Sequence, residues 1–310
     1  MADPSRLHLP IRAVERETGL SKDVLRAWER RYGFPQPVRG QTGERSYPAE
    51  QVAKLRLMRR LVDGGRRPGQ IVGLAHDELE RLVQDTVPAA PATSSAGTAM
   101  PGEERCMALL KRHDTVALGH LLADACVRVG LERFITDLVA PLTTCVGDAW
   151  MRGQLAIFEE HLFSETLQVV LRGATSRLPE PTADARPRVL LTTFVDEPHG
   201  LGLLMAQALL GLDGAHCTSL GTGTPVWDIA QAARALRSDV VALSFTGAMS
   251  PTAMLDGLQD LRRHLPAGVE VWAGGSAPAL HRRTVDGVTA MASLSQLHAQ
   301  VARWRAVAIT

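Results

Sequence analysis

The stretch Asp196-Glu197-Pro198-His199-Gly200-Leu201-Gly202 sets a histidine where one apolar run, Arg188 to Phe194, meets another, Leu201 to Leu210. The first run reads as a strand and the second as a helix, so His199 stands at a strand-to-helix turn. A neutral imidazole there is a good ligand for a transition metal. The ring nitrogen that does not bind metal needs an acceptor to fix the tautomer, and Glu197 and Asp196 both compete for that role. A histidine in a loop is also, more simply, a solvated or structurally hydrogen-bonded residue, and both readings stand at this point. Two further groups follow. Ser244-Phe245-Thr246 comes after 41 intervening residues, and Gly274-Gly275 after another 27, each closing an apolar run. Further upstream, Trp150 is separated by nine residues from Glu160-His161. Near the start, Lys22, Arg26, Arg30, Arg31, Arg39 and Arg45 crowd one short region and could meet a polyanion.

Composition bounds the elements that must position these groups. The chain has 310 residues, 45% hydrophobic and 22% charged, which suits a globular protein of two or three domains. No apolar run is long enough to cross a bilayer and no charged-then-apolar leader opens the sequence, so the expected location is cytoplasmic, away from membrane. The four cysteines, Cys106, Cys126, Cys145 and Cys217, form no CxxC pair and read as buried thiols, with no zinc knuckle or disulfide framework. The net charge of +1 hides an asymmetry: residues 1–75 carry +7 and the remainder −6. A basic head on an acidic body suggests that the head alone meets a polyanion.

Along the chain, residues 1–80 are Arg-rich and helical in pattern. Residues 81–102 lead into TVPAAPATSSAGTAMPG, an uncharged Ala/Pro/Ser/Thr/Gly tract that reads as a flexible linker. Residues 103–180 carry Leu, Ala and Val at helical spacing and read as a helical bundle. Residues 187–310 alternate short apolar runs (188–194, 215–221, 240–246, 269–275, 287–291) with helix-like segments, the pattern of a parallel sheet with right-handed crossovers. Ligands of such sheets bind outside the carboxyl ends of the strands, where the Asp196–Gly202 stretch falls.

In the head, Pro10 to Gly19 reads as a first helix and Leu20 to Gly33 as a second. Ser21 is its N-cap, Asp23 favours its N-terminus, and Val24, Leu25 and Trp28 form its buried face. Pro35, Pro37, Gly40 and Gly43 mark a hairpin, and a further helix runs from about Pro48 to Gly64. The string LRAWERRYG…P.R…G.RSY closely resembles the winged helix-turn-helix DNA-binding domain of MerR-family transcription regulators over residues 7–75. The resemblance implies that the second helix enters the major groove of double-stranded operator DNA and that the wing meets the adjacent backbone. Lys22, Arg26, Arg30, Arg31, Arg39 and Arg45 are the implied contacts, with base and phosphate readers undivided.

The pattern E-x-H-x-x-G, then S-x-T, then G-G, resembles the flavodoxin-like (Rossmann-type) cobalamin-binding domain of methionine synthase, B12-dependent mutases and B12-binding regulators. The resemblance implies that His199 replaces the cofactor's own lower base on cobalt and that Glu197 orients it. It also implies that Gly202 lets backbone pass close to the displaced nucleotide tail, that Ser244 and Thr246 offer it hydroxyls, and that Gly274 and Gly275 leave it room. The string WMRGQLAIFEEH resembles the W-x9-EH motif of light-responsive, B12-binding MerR regulators of the CarH family, in which a four-helix bundle caps the cofactor. This makes Trp150 a shield for the adenosyl group, with Glu160 and His161 beside it. In that family a histidine often follows the Trp; here Met151 stands in its place, a softer and weaker ligand for Co(III).

Taken together, the resemblance implies a repressor, not an enzyme, that uses adenosylcobalamin as a light-sensing chromophore. It would be a homo-oligomer, a tetramer in the dark and smaller in light, and light-driven Co–C cleavage would release DNA. The alternatives are a cobalamin-responsive regulator indifferent to light, which Met151 leaves open, a corrinoid methyl carrier, which the head argues against, and a regulator with a cofactor-free tail.

Overall fold

The computed structural model describes residues 8–40, 43–63, 66–86, 102–151 and 154–308. The chain forms two compact units, Met1–Gly97 with Cys145–Glu160, and Thr98–Thr144 with His161–Thr310. Among the described residues no helix is long and apolar enough to cross a membrane.

The first unit opens with β1 (His8–Pro10), α1 (Ile11–Thr18) and α2 (Lys22–Tyr32). Ser21 caps α2, its hydroxyl accepting from the Val24 N–H at 3.3 Å. Gly33, at φ 68°, ends the helix in the left-handed conformation that glycine adopts without strain. β2 (Val38–Arg39) and β3 (Arg45–Pro48) form the expected hairpin, with Arg39 opposite Arg45. β1 pairs antiparallel with the other edge of β3 and makes a third strand that the sequence did not announce. α3 (Ala49–Asp63), α4 (Pro68–Ile71) and α5 (His76–Thr86) complete the head. Leu25 and Trp28 of α2 pack with Val14, Tyr47, Leu55, Met58, Leu61, Ile71, Leu79 and Val83 in one core. Position 80 is not a boundary, because α5 runs on through Thr86 and buries Val83. The expected linker 81–102 therefore begins as helix; its Pro- and Ala-rich part, 87–101, lies outside the described residues.

The second unit begins with α6 (Glu103–Lys111) and α7 (Thr115–Val129), the latter capped by Asp114. α8 (Leu131–Arg133) leads through a π-helical stretch, Phe134–Val139, into α9 (Ala140–Met151), and α10 (Ile157–Thr175) follows. The segment expected as one bundle over 103–180 is helical, but it is not one body. Cys145–Glu160, the end of α9 and the start of α10, belongs with the head.

The rest is a five-stranded sheet with helices between its strands: β4 (Arg188–Thr192), α11 (Leu201–Leu212), β5 (His216–Gly221), α12 (Val226–Ala235), β6 (Val240–Phe245), α13 (Pro251–His264), β7 (Glu270–Gly275), α14 (Pro278–Arg282), β8 (Val288–Met291) and α15 (Gln296–Ala308). All pairings are parallel and the order is β5-β4-β6-β7-β8. Each of the five apolar runs is a strand. The order is that of a flavodoxin-like fold, and it reverses between β4 and β6, which opens a crevice at their carboxyl ends. Beneath it Phe194 and Phe245 meet edge to face, ring centroids 5.3 Å apart, among Leu190, Val241, Leu258 and Val271.

Because Phe245 is fully buried under the crevice, Phe245→Ala is expected to destabilise the sheet by about 3–5 kcal/mol. A lower urea midpoint followed by circular dichroism checks this, and an unchanged midpoint would refute it.

Candidate functional site

The crevice is built from the loops that follow β4, β5 and β6. Thr193, fully buried at the end of β4, donates its hydroxyl to the Glu197 carbonyl at 2.6 Å and accepts from the Gly223 N–H at 2.9 Å. Its own carbonyl takes the Thr224 N–H at 2.9 Å, and the hydroxyls of Thr192 and Thr224 lie 2.7 Å apart. These links lock the turn after β4 to the turn after β5. The sequence reading singled out none of Thr192, Thr193 or Thr224; the paired threonines at a strand end were the signal to follow.

On this platform Glu197 is fully buried. Its carboxylate accepts from His199 Nδ1 at 2.6 Å, from the Thr246 N–H at 2.6 Å, and from the Thr246 hydroxyl at 2.9 and 3.0 Å. A buried carboxylate is tolerable only when it is satisfied in this way. The competition between the two acids is thereby decided, since Asp196 is exposed and Glu197 holds the ring. With Nδ1–H donating to Glu197, the lone pair of the imidazole sits on Nε2. The His199 side chain is 56% exposed, while the carboxylate that holds it is fully buried.

Thr246 differs from the expectation. Its hydroxyl is turned onto Glu197 and lies 3.1 Å from His199 Nδ1, so it braces the pair instead of facing a ligand. Ser244 is nearly buried, and its hydroxyl has no hydrogen-bond partner among the described residues. A Cβ on Gly202, in the first turn of α11, would overlap the Ser244 Oγ. Gly274 pairs in register with Ser244, and a Cβ there would meet nothing closer than the Met291 carbonyl at 3.9 Å. Gly275, at φ 115°, has its absent Cβ against the Phe245 backbone, so only glycine fits. Gly202 thus packs against Ser244, whose hydroxyl is unclaimed, and Gly274 lies beside Ser244 on the neighbouring strand. His281, on α14, closes one side with Nε2 on the Gly275 carbonyl at 2.9 Å.

This is not a self-contained metal centre. Among the described residues no group of three or more His, Cys, Asp or Glu side chains is placed to hold an ion. A single braced imidazole suits a metal that arrives with its other ligands attached.

In the head, Lys22, Arg30, Arg31 and Arg39 are exposed, and Arg26 and Arg45 half-buried. Glu29 of α2 binds both wing arginines, Arg45 at 3.1 Å and Arg39 at 3.4 Å, and so fixes the hairpin to the helix. Arg26 pairs with Asp23 at 3.7 Å, and Arg31 lies over the Tyr32 ring. Below them Tyr47 is fully buried; burial pushes its phenol pKa up, and Glu29 adds to the rise.

The remaining expected residues are divided between the two units. Trp150, the penultimate residue of α9, lies in the first unit, with the Arg56 guanidinium 5.0 Å from its ring centroid. Glu160 belongs to the same unit, and His161, the next residue, to the second. The side chain of Met151 lies outside the described residues.

Residues 9–78 match the model of the MerR HTH family regulatory protein, and residues 103–172 match that of a B12 binding domain. The chain is 31% identical over 268 residues to the HTH-type transcriptional repressor CarH of Myxococcus xanthus, covering 86% of this chain and 89% of that one. It is also 31% identical over 280 residues to the HTH-type transcriptional repressor CarA of the same organism, covering 89% and 90%. Among solved structures, the monomethylamine corrinoid protein of Methanosarcina barkeri aligns with 66% of this chain and 97% of its own, at 18% identity and a TM-score of 0.49.

The contact between Gly202 and Ser244 makes a paired prediction. Gly202→Ala is expected to cost about 1–3 kcal/mol by overpacking, and adding Ser244→Gly should return most of it. Thermal unfolding of the three variants tests this, and a double variant no better than the single one would show that the two residues do not meet.

Proposed function

The chain belongs to the family of the CarH and CarA helix-turn-helix transcriptional repressors, and from that premise we propose that it is a DNA-binding repressor whose occupancy of DNA is set by adenosylcobalamin and light. The observation that carries the reading is the buried Glu197, which grips Nδ1 of a half-exposed His199 side chain at the end of β4.

His199 is the lower ligand of cobalt in this reading. Glu197 and Thr246 hold its tautomer and ring plane, so that no reorientation is needed when metal arrives. Gly202, Ser244, Gly274 and Gly275 take the displaced nucleotide tail, with the Ser244 hydroxyl as its first hydrogen-bond partner. Trp150, Met151, Glu160 and His161 serve the upper face. When bound, the cofactor supplies a photolabile cobalt–carbon bond. Lys22, Arg26, Arg30 and Arg31 of α2, with Arg39 and Arg45 of the wing, meet operator DNA. Glu29 keeps wing and helix in one register, so Arg45 contributes as much by position as by charge. In the dark the protein is a tetramer, in which several heads on one operator multiply their affinities. Light lowers the oligomer size and the heads let go. The chain performs no catalysis.

Three measurements test this. Thr246→Val keeps the shape of the side chain and removes the hydroxyl brace. It is expected to weaken dark binding of adenosylcobalamin about 10–100-fold in a spectrophotometric titration; unchanged affinity would remove Thr246 from the site. Lys22→Ala should flatten the slope of log affinity for operator DNA against log salt by about 1, and an unaltered slope would mean no phosphate contact. Finally, size exclusion and DNA binding are compared before and after green light on the loaded protein. A drop in size with release of DNA supports the photoreceptor reading. Tight loading with no change in light would favour a light-independent cobalamin regulator, the reading that Met151 motivates.

A further inference from the structure

Trp150 has a partner that no cofactor role requires. The Arg56 guanidinium of α3 stands 5.0 Å from the centroid of its ring, within the range of a cation–π contact. Arg56 is not a stray surface side chain. It is 14% exposed and forms an ion pair with Glu17 of α1, itself 11% exposed. Its neighbour Arg59 donates to the Gly19 carbonyl at 2.7 Å, which fixes α3 against the end of α1. Trp150 therefore rests on a preformed feature of the DNA-binding head.

The contact is incomplete. Among the described residues, the buried Trp150 Nε1 and Arg56 Nε have no hydrogen-bond partner. Two buried donors left unmade weaken an interface, so this one is made to come apart more readily than a satisfied one. The residue involved is the one that the proposed function places over the upper face of cobalamin.

We propose that Arg56 is a docking residue for Trp150, so that the head and the cofactor compete for one indole. The inference rests on the cobalamin reading above. In the cofactor-free chain Trp150 is parked on α3, and loading the cofactor lifts it away. The head is then released at the moment the sensor fills, which couples DNA binding to cofactor supply without any signal passing through the sheet. By reciprocity, whatever strengthens the parked state weakens loading by the same factor.

The test uses the full-length protein labelled with 5-fluorotryptophan, the Trp150 resonance being assigned with Trp150→Phe. Arg56→Met retains much of the side-chain bulk and removes the cation. In cofactor-free protein it should shift the Trp150 resonance and leave that of Trp28, in the core of the head, unmoved. It should also tighten dark binding of adenosylcobalamin about 2-fold to 30-fold, the span of a cation–π contact. Adenosylcobalamin added to the wild type should move the Trp150 resonance away from its parked position. Glu17→Gln is the control for loosening of the head: it should leave the Trp150 resonance in place and not tighten binding. The proposal is overturned if Arg56→Met leaves the Trp150 resonance unchanged, if the resonance moves without a gain in affinity, or if Glu17→Gln produces the same gain. A wild type that binds no adenosylcobalamin would instead sink the cobalamin reading, and the competition with it. The Arg56–Trp150 contact would still be scored on its own by the resonance.

Discussion

A carboxylate with no exposure to water is the constraint around which the crevice is organised. Removing the partners of a buried charge costs several kcal/mol, about 3–5 for a broken pair, so the surroundings of Glu197 are not free to vary independently. One of its oxygens takes a backbone N–H from the turn after β6, and the threonine hydroxyl and the imidazole supply the other donors. The turns after β4 and β6 must therefore lie side by side, which the reversal of strand order between these two strands provides. The threonine ties to the turn after β5 hold the same loop from its other side. The exposed imidazole is the outward end of an arrangement whose stability is settled in the interior.

The head repeats this logic with a smaller stake. Glu29 is an acid on a helix that must approach a polyanion, an unfavourable place for it by charge alone. Its use is geometric: it binds the two wing arginines to α2, and the hairpin acquires a fixed angle to the helix. A rigid pair of elements loses less entropy on docking than two independent ones. That gain offsets the charge that Glu29 takes from the surface.

Much of this was legible in the chain. Ser21, Asp23 and Gly33 bracket α2 by local chemistry, and five apolar runs become five strands because a parallel sheet covered on both faces leaves its strands little polar alternation. The D/E-x-H turn falls where the fold places ligands. What could not be read was anything fixed by which of two similar groups wins a tertiary contest. Asp196 and Glu197 are equivalent in sequence and opposite in burial. Thr246 offers a hydroxyl to either side of its backbone, and only the position of Glu197, 49 residues earlier, decides which. β1 is too short to show a period and exists because β3 has a free edge. Helical spacing continues without a break from α9 into α10, so nothing in the pattern tells that Cys145–Glu160 keeps company with residues near 56. Long-range choices of this kind leave no local trace.

The separation between Glu197 and Thr246 has a consequence during synthesis. The hydrophobic core of the head is made of residues from Val14 to Val83 and can form once that much chain has left the ribosome. The imidazole cannot be set until the turn after β6 has been made, 160 residues later. At about 5–20 residues per second a newborn chain spends roughly 8–30 s with a finished reader and an unfinished sensor. During that interval the nascent polypeptide carries a closed helix-turn-helix core and a crevice whose central carboxylate still lacks its donors.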